Sequence, residues 1–258
     1  MSVANVYAAA RNGRADDDLV KVVVPSQRLI WLWVPKNAGG SISRSLLLAH
    51  GEDAIPCDLT LDQLWRLNDD LRSFRIVGFK RHPFTRVVSC WLNKIAEPAS
   101  FNPRFLRKYP GLRAGMSFPD FAEWLNTPEG ADERADVHWR SQHLELERAT
   151  EILAFEDLPD AVAALGIRPA DLSHRNQNTE AAAMAGLEVR PLLDWYDKRA
   201  LRNIRQRYAR DLEVLGYQVP DEIRPAYRRL VGAGAAPADG VGPAGSQGDG
   251  QGRPGEQA

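Results

Sequence analysis

The chain has 258 residues, 44% hydrophobic and 26% charged, a composition that suits one large globular domain and excludes disorder along the whole length. Lysine plus arginine (33) nearly balances aspartate plus glutamate (34), for a net charge of −1. With no global field to draw in nucleic acid or an anionic membrane, any anion site must be local.

Residues 1–18 are polar and unpatterned and read as a loose leader, without the basic start and apolar run of a secretion signal. Val20–Val24 and Leu29–Val34 flank Pro25-Ser26-Gln27, which predicts two strands around a turn. The second run has six apolar residues in succession, the pattern of a strand covered on both faces. A loop from Pro35 to Gly40 follows, then a helix on which Ile42, Leu46 and Ala49 recur. Thr60 is the expected N-cap of a helix over Leu61–Leu71. The pattern then repeats, with a strand over Phe74–Lys80, an exit at Arg81-His82-Pro83, and a helix over Phe84–Ile95 with Pro83 near its start.

Residues 96–117, with Pro98, Pro103, Pro110, Gly111 and Gly115, read as a surface excursion of the kind that forms binding loops or lids. Glu151–Phe155 predicts a strand, and Leu158–Leu165 a helix ending at Gly166. Leu201, Ile204, Tyr208, Leu212 and Leu215 mark one long C-terminal helix closed by Gly216. Residues 232–258 hold nine of the 20 glycines and almost no large apolar side chain, which predicts a disordered tail. That tail carries −2, so the domain expected over 19–231 is nearly neutral. Strands alternating with helices imply an α/β fold with a mainly parallel sheet flanked by helices. No apolar run approaches the roughly 20 residues of a membrane span. Cys57 and Cys90, the only cysteines, fit reduced thiols in a cytoplasmic protein rather than a disulfide framework or a four-cysteine zinc site.

In such a sheet, ligands sit beyond the carboxyl ends of the strands, where helix N-termini direct N–H groups outward. Two strand-loop-helix units carry suitable groups there. In Pro35-Lys36-Asn37-Ala38-Gly39-Gly40-Ser41, small residues let the backbone wrap an anion, Lys36 adds a charge and Ser41 a hydroxyl donor. The nucleotide-triphosphate loop GxxxxGK[ST] places its lysine after the glycines, whereas Lys36 precedes them. A metal-free phosphate or sulfate cradle is therefore expected. In the second unit Arg81 leaves a strand end with a fork of donors, and Ser89 lies one turn beyond Thr85 on the next helix, leaning back toward the same anion. The two loops suit two phosphates of one ligand.

These residues resemble the sulfotransferases that use 3′-phosphoadenosine 5′-phosphosulfate, in particular the carbohydrate-type branch. Pro35 to Ile42 is similar to the family's 5′-phosphosulfate loop, with Asn37 and Gly40 where the family has threonine. Arg81 to Trp91 matches its 3′-phosphate motif at every characteristic position. His138-Trp139-Arg140-Ser141-Gln142, Phe155-Glu156-Asp157-Leu158 and Leu172-Ser173-His174-Arg175-Asn176 extend the likeness, as do Trp195-Tyr196 and Tyr208-x-x-Asp211 with Gly216-Tyr217. The resemblance covers roughly residues 19–219 and implies a P-loop-like α/β fold.

It also implies transfer of a sulfuryl group to a carbohydrate or small glycosylated hydroxyl by in-line displacement, with no metal. Lys36 and the N–H groups of Asn37 to Ser41 would hold the 5′ end of the donor, and Arg81 and Ser89 the 3′-phosphate. An acceptor hydroxyl needs a base, and His138 in the HWxxQ segment is preferred over His50, Glu52, Asp53 and Asp58 between the phosphate motifs. The other readings are a nucleotide kinase, dependent on magnesium and ATP, and a noncatalytic nucleotide-binding protein. Among the remaining polar groups, His82 is expected to pack at its turn, Arg86 to ion-pair near the helix start, and Glu156 to cap the following helix. Arg199, Arg202, Arg205, Arg207 and Arg210 read as a solvated helix face rather than a nucleic-acid surface. Arg104, Arg107, Lys108 and Arg113 make the excursion basic, suited to an acidic acceptor.

Overall fold

The computed structural model describes residues 21–98, 101–169, 172, 178–221 and 223, so the expected leader and tail lie outside the described residues, as does the 173–176 part of the closing motif. One sheet joins β1 (Lys21–Val24), β2 (Leu29–Leu32), β3 (Ile55–Cys57), β4 (Arg75–Lys80) and β5 (Glu151–Ala154) in the order β3-β1-β2-β4-β5. β2, β4 and β5 pair in parallel. β1 is antiparallel to both β2 and β3, so it is the one reversed strand of the sheet. The Pro25–Gln27 turn that reverses it is a short 3-10 helix closed by Arg28 in the left-handed region, φ 46°.

Strand alternation sorts the core into two layers. On one face Val22, Val24, Leu29, Trp31, Val77 and Phe79 pack against α1 (Gly39–His50) and α7 (Leu158–Ala163). On the other, Val23, Ile30, Leu32 and Ile76 pack against α2 (Leu61–Leu67) and the turn after it. All four residues of β2 are buried, as its unbroken apolar run predicts. The result is a three-layer α/β domain of P-loop-like design, with its long edge of strand carboxyl ends at one side.

A second, aromatic-rich core lies beside the sheet. It is built from α3 (Pro83–Trp91), α4 (Pro103–Lys108), α5 (Phe118–Trp124), α8 (Asn178–Met184) and α9 (Lys198–Arg207). At its centre Trp139 is fully buried, with the rings of Tyr109 at 5.0 Å, Phe105 at 5.4 Å and Trp124 at 5.8 Å.

Several expectations are corrected. Residues 96–117 are not a surface excursion, because Phe101, Phe105, Tyr109, Leu112 and Met116 are buried in the aromatic core, while Arg104, Arg107, Lys108 and Arg113 between them face solvent. The helix expected over 61–71 stops at Leu67. Asn68 there turns extended and its side chain captures the Asp70 N–H, starting a 3-10 turn over Asp69–Ser73. Its start follows the sequence, with Thr60 and Gln63 forming a reciprocal capping box. The helix from Pro83 changes at Leu92 into a π-helical segment, Leu92–Ala96. The long C-terminal helix is two, α9 and α10 (Ala209–Val214), broken at Tyr208, whose buried ring reaches inward to the Trp139 carbonyl. Strand β3 carries little signal in the sequence, being three residues long and containing Pro56.

Candidate active site

The loop after β2 holds two residues outside ordinary backbone space. Lys36 has φ 71° and Ala38 φ 57°, left-handed values that cost a non-glycine residue about 1–3 kcal/mol each. Alternating left-handed residues turn backbone N–H groups to one side, the form of an anion-binding nest. α1 starts at once from Ala38, and no side chain caps it. By contrast α2, α4 and α5 are capped by Thr60, Asn102 and Ser117. Gly39 is obligatory for a local reason, since a Cβ there would fall 1.8 Å from the Trp33 ring. Gly40 faces open space. The Asn37 N–H, expected in the cradle, instead points back to the Val34 carbonyl at 3.3 Å.

The strained loop is held by the second motif. Arg81 leaves β4 and donates from Nη1 to the Lys36 carbonyl at 2.7 Å and from Nε to Thr85 Oγ1 at 3.2 Å. Its guanidinium lies 4.3 Å over the Phe155 ring. The described residues give Nη2 no partner. Ser89, buried, sits one turn beyond Thr85 and so shares the face of α3 that Arg81 touches. Arg86 is fully buried and donates to three carbonyls, of Pro35 at 3.1 Å, Arg140 at 2.9 Å and Val137 at 3.3 Å. The ion pair expected for it is replaced by these bonds, which fasten the anion loop to the 137–140 segment.

Gln142 completes the weld. Its Oε1 accepts from Asn37 Nδ2 at 2.7 Å and from the Arg81 N–H at 2.9 Å, while its Nε2 donates to the Arg81 carbonyl at 2.8 Å. Asn37 Nδ2 also donates to the Phe79 carbonyl at 2.6 Å, so this side chain serves the framework. An amide at Asn37 spans two acceptors where a hydroxyl would reach fewer.

The supporting motifs prove to be the braces behind Gln142. The Asp211 carboxylate, fully buried on α10, accepts the N–H groups of Gln142 and His143 at 2.9 Å each and so caps the short α6 (Gln142–Glu145) from another element. Tyr208 donates to the Trp139 carbonyl at 2.6 Å and Tyr196 to the Phe84 carbonyl at 2.8 Å. Glu156 does not cap the helix after it. Its carboxylate accepts from the His82 N–H and from the Tyr217 hydroxyl, at 2.8 Å each. His82 packs at its turn as expected, with Nδ1 accepting from the Phe84 N–H at 3.3 Å and Nε2 donating to the Gln218 carbonyl at 2.7 Å.

Burial and mutual repulsion act on the cations of both loops. Burial, with the nearby charges of Lys94, Arg81 and Arg86, lowers the Lys36 ammonium to about 8, with Cys90 opposing. Burial likewise lowers Arg81 to about 10, against the pull of Glu156. Cations crowded until they weaken one another are what a multiply charged anion relieves. Lys94, on the π-helical segment, has no signal in the sequence motifs.

His138 is brought to this place. Its ring meets Trp33 edge-on at 6.2 Å, and Lys36 and Lys94 are close enough to perturb it. The alternatives are not brought there. Asp53 accepts from Ser26 in the β1–β2 turn, at the opposite end of the sheet, with Glu52 in the same 3-10 turn. His50 lies against the Leu165 carbonyl at the end of α1, and Asp58 follows β3, which ends at the same sheet edge as β2 but two strands away. Among the described residues no cluster of three or more His, Cys, Asp and Glu side chains suits a metal ion, and no helix is long and apolar enough to cross a membrane.

A family model described as the sulfotransferase family matches residues 21–218. The chain belongs to the sulfotransferase family. No curated protein and no solved structure matches it. The sulfotransferase is thus an enzyme of sulfuryl transfer, and its two cationic loops and their braces all fall within the matched span.

Proposed function

We propose that this sulfotransferase moves the sulfuryl group of 3′-phosphoadenosine 5′-phosphosulfate to a hydroxyl of a carbohydrate or small glycosylated acceptor, in the cytoplasm. The observation that carries the reading is the pair of cationic loops at the carboxyl ends of adjacent parallel strands β2 and β4, tied through Gln142 into one unit. A donor anionic at both ends fits this set. Lys36 and the uncapped start of α1 suit the 5′ end, while Arg81, with Nη2 unpartnered and its face against Phe155, and Ser89 suit the 3′-phosphate. The buried free thiols Cys57 and Cys90 suit a reducing compartment.

The donor supplies an activated sulfur whose bond to the bridging oxygen breaks as the acceptor oxygen attacks. Lys36 places a positive charge where the leaving oxygen becomes negative, and the loop N–H groups share that load. Arg81 and Ser89 fix the far end and so align the bond to be broken. His138 takes the proton of the acceptor hydroxyl.

The test is calorimetric titration with adenosine 3′,5′-bisphosphate, followed by incubation with isotope-labelled donor and a glycan panel read by mass spectrometry. Binding is expected without magnesium, and label should appear on a sugar hydroxyl. Lys36→Ala and Arg81→Ala should stay folded and lose transfer, Arg81→Ala chiefly through donor affinity. Folded protein that gives no heat with the bisphosphate, or that requires ATP and magnesium, overturns the reading.

A further inference from the structure

The segment between α5 and α6 carries a carboxylate that no sequence motif flags. Asp136 Oδ1 accepts from the His138 backbone N–H at 3.1 Å and lies 2.5 Å from His138 Nδ1. Both side chains are about four-fifths buried. The Asp136 carbonyl accepts the N–H groups of Trp139 and Arg140, closing a turn that fixes His138 against its carboxylate. That turn is anchored on each side, by Trp139 in the aromatic core and by Arg86 on the Val137 and Arg140 carbonyls. The imidazole is thus held at both its backbone and one ring nitrogen.

We propose that Asp136 is the positioning residue of the sulfotransferase, holding His138 as the Nδ1–H tautomer so that Nε2 presents its lone pair to the acceptor hydroxyl. An ionised carboxylate only accepts hydrogen bonds, so the ring nitrogen facing it must carry a proton. In a neutral imidazole the other nitrogen is then the base. During transfer the acceptor O–H proton passes to Nε2, the acceptor oxygen bonds to sulfur, and the electron pair of the broken bond leaves with the bisphosphate oxygen. Asp136 takes no proton and stabilises the imidazolium that forms, as the carboxylate of a catalytic triad does.

The surroundings make this carboxylate necessary. Burial lowers the basicity of His138, Asp136 opposes this, and the charges of Lys94 on the π-helical segment and Lys36 on the anion loop lower it further. Burial alone would raise the Asp136 carboxyl, but the His138 bonds and the charge of Lys108 at the end of α4 outweigh it and keep the group ionised. The Cys90 thiol and Tyr109 hydroxyl, both pushed up by burial, also lie within electrostatic reach of Asp136, and the Arg86 guanidinium holds the Val137 and Arg140 carbonyls on either side of His138. Without Asp136 the histidine would meet two ammonium groups and no compensating charge.

The inference rests on His138 as base, and the experiments separate the two. In full-length enzyme labelled with ¹⁵N-histidine, long-range ¹H–¹⁵N spectra should show His138 protonated at Nδ1, and Asp136→Asn should change that tautomer population. Under saturating donor and acceptor, Asp136→Asn should lower kcat about 10²- to 10⁴-fold with little change in donor KM. The acidic limb of its pH profile should move to lower pH, because loss of the carboxylate makes His138 a weaker base. Asp136→Glu should recover part of the rate. Added to His138→Ala, Asp136→Asn should cost nothing further.

An Nε2–H tautomer in the wild type, an unmoved acidic limb, or an additive loss in the double variant overturns the role of Asp136. If His138→Ala alone keeps rate and pH profile, the assignment of the base fails instead, and the positioning role fails with it even if the tautomer is as stated.

Discussion

Lys36 shows how a single residue is spent on two tasks. Its left-handed backbone aims the loop N–H groups, and its ammonium is held near 8 by burial and neighbouring cations. Charged Lys36 is the form that meets an anionic donor. Above pH 8 the free protein loses that proton, so binding must take one up again. The dissociation constant of adenosine 3′,5′-bisphosphate should therefore be nearly flat below pH 7, about double between pH 7 and 8, and rise toward tenfold per pH unit well above 8. Titrations at several pH values check this, and Lys36→Ala should flatten the curve. At this scale the sequence was informative about the residues proposed to hold the donor, because Lys36, Arg81 and Ser89 sit at fixed offsets from strand ends. It was silent on Asp136 and Lys94, and it placed Phe155 in a motif without showing what the ring touches. Their roles arise from contacts between segments that local spacing does not encode, such as Arg81 over a ring 74 residues away.

Elements convert those residues into a fixed geometry. Trp33 ends the central strand region and lies on Gly39, so the strand, the loop and the start of α1 are locked by one contact. Gly39→Ala puts a methyl into that ring. It should destabilise the fold by roughly 1–3 kcal/mol, as overpacking does, and displace both the loop and the ring that meets His138. Thermal denaturation and donor titration together check this. Gly40→Ala, facing open space, is the control and should change stability little. Helix starts were readable where a short polar side chain marks them, as Thr60 does. Helix ends were not. Asn68 stops α2 with its own side chain, and α9 breaks at a tyrosine of unremarkable propensity because a hydrogen bond to Trp139 draws it inward. The 96–117 segment misled for a related reason: its prolines and glycines lie between aromatic residues whose burial depends on a partner, Trp139, far along the chain.

Over the whole molecule, the two cationic loops are held from behind. Asp211 caps α6, Gln142 on α6 joins the Lys36 loop to the Arg81 exit, and Tyr217 reaches the same exit through Glu156. Asp211→Ala removes a buried carboxylate that touches no ligand. It should nevertheless weaken bisphosphate binding and lower the melting temperature, since each buried N–H left unpaired costs about 1–3 kcal/mol. Donor affinity equal to wild type in folded Asp211→Ala would show that the brace is not coupled to the site. The layered α/β architecture was accessible from strand-helix alternation, and the reversed β1 from its proline turn. The brace was not, because it joins residues 69 positions apart through buried polar groups that carry no hydrophobic period.

The dependence of Gln142 on Asp211 also orders events during synthesis. A polypeptide emerging from the ribosome with its first 200 residues free already displays Lys36, Arg81, Ser89 and His138, yet the carboxylate that seats the clamp is still to come. The two cationic loops should thus gain their fixed geometry only once α10 has been released, late in synthesis rather than as a guide to early folding.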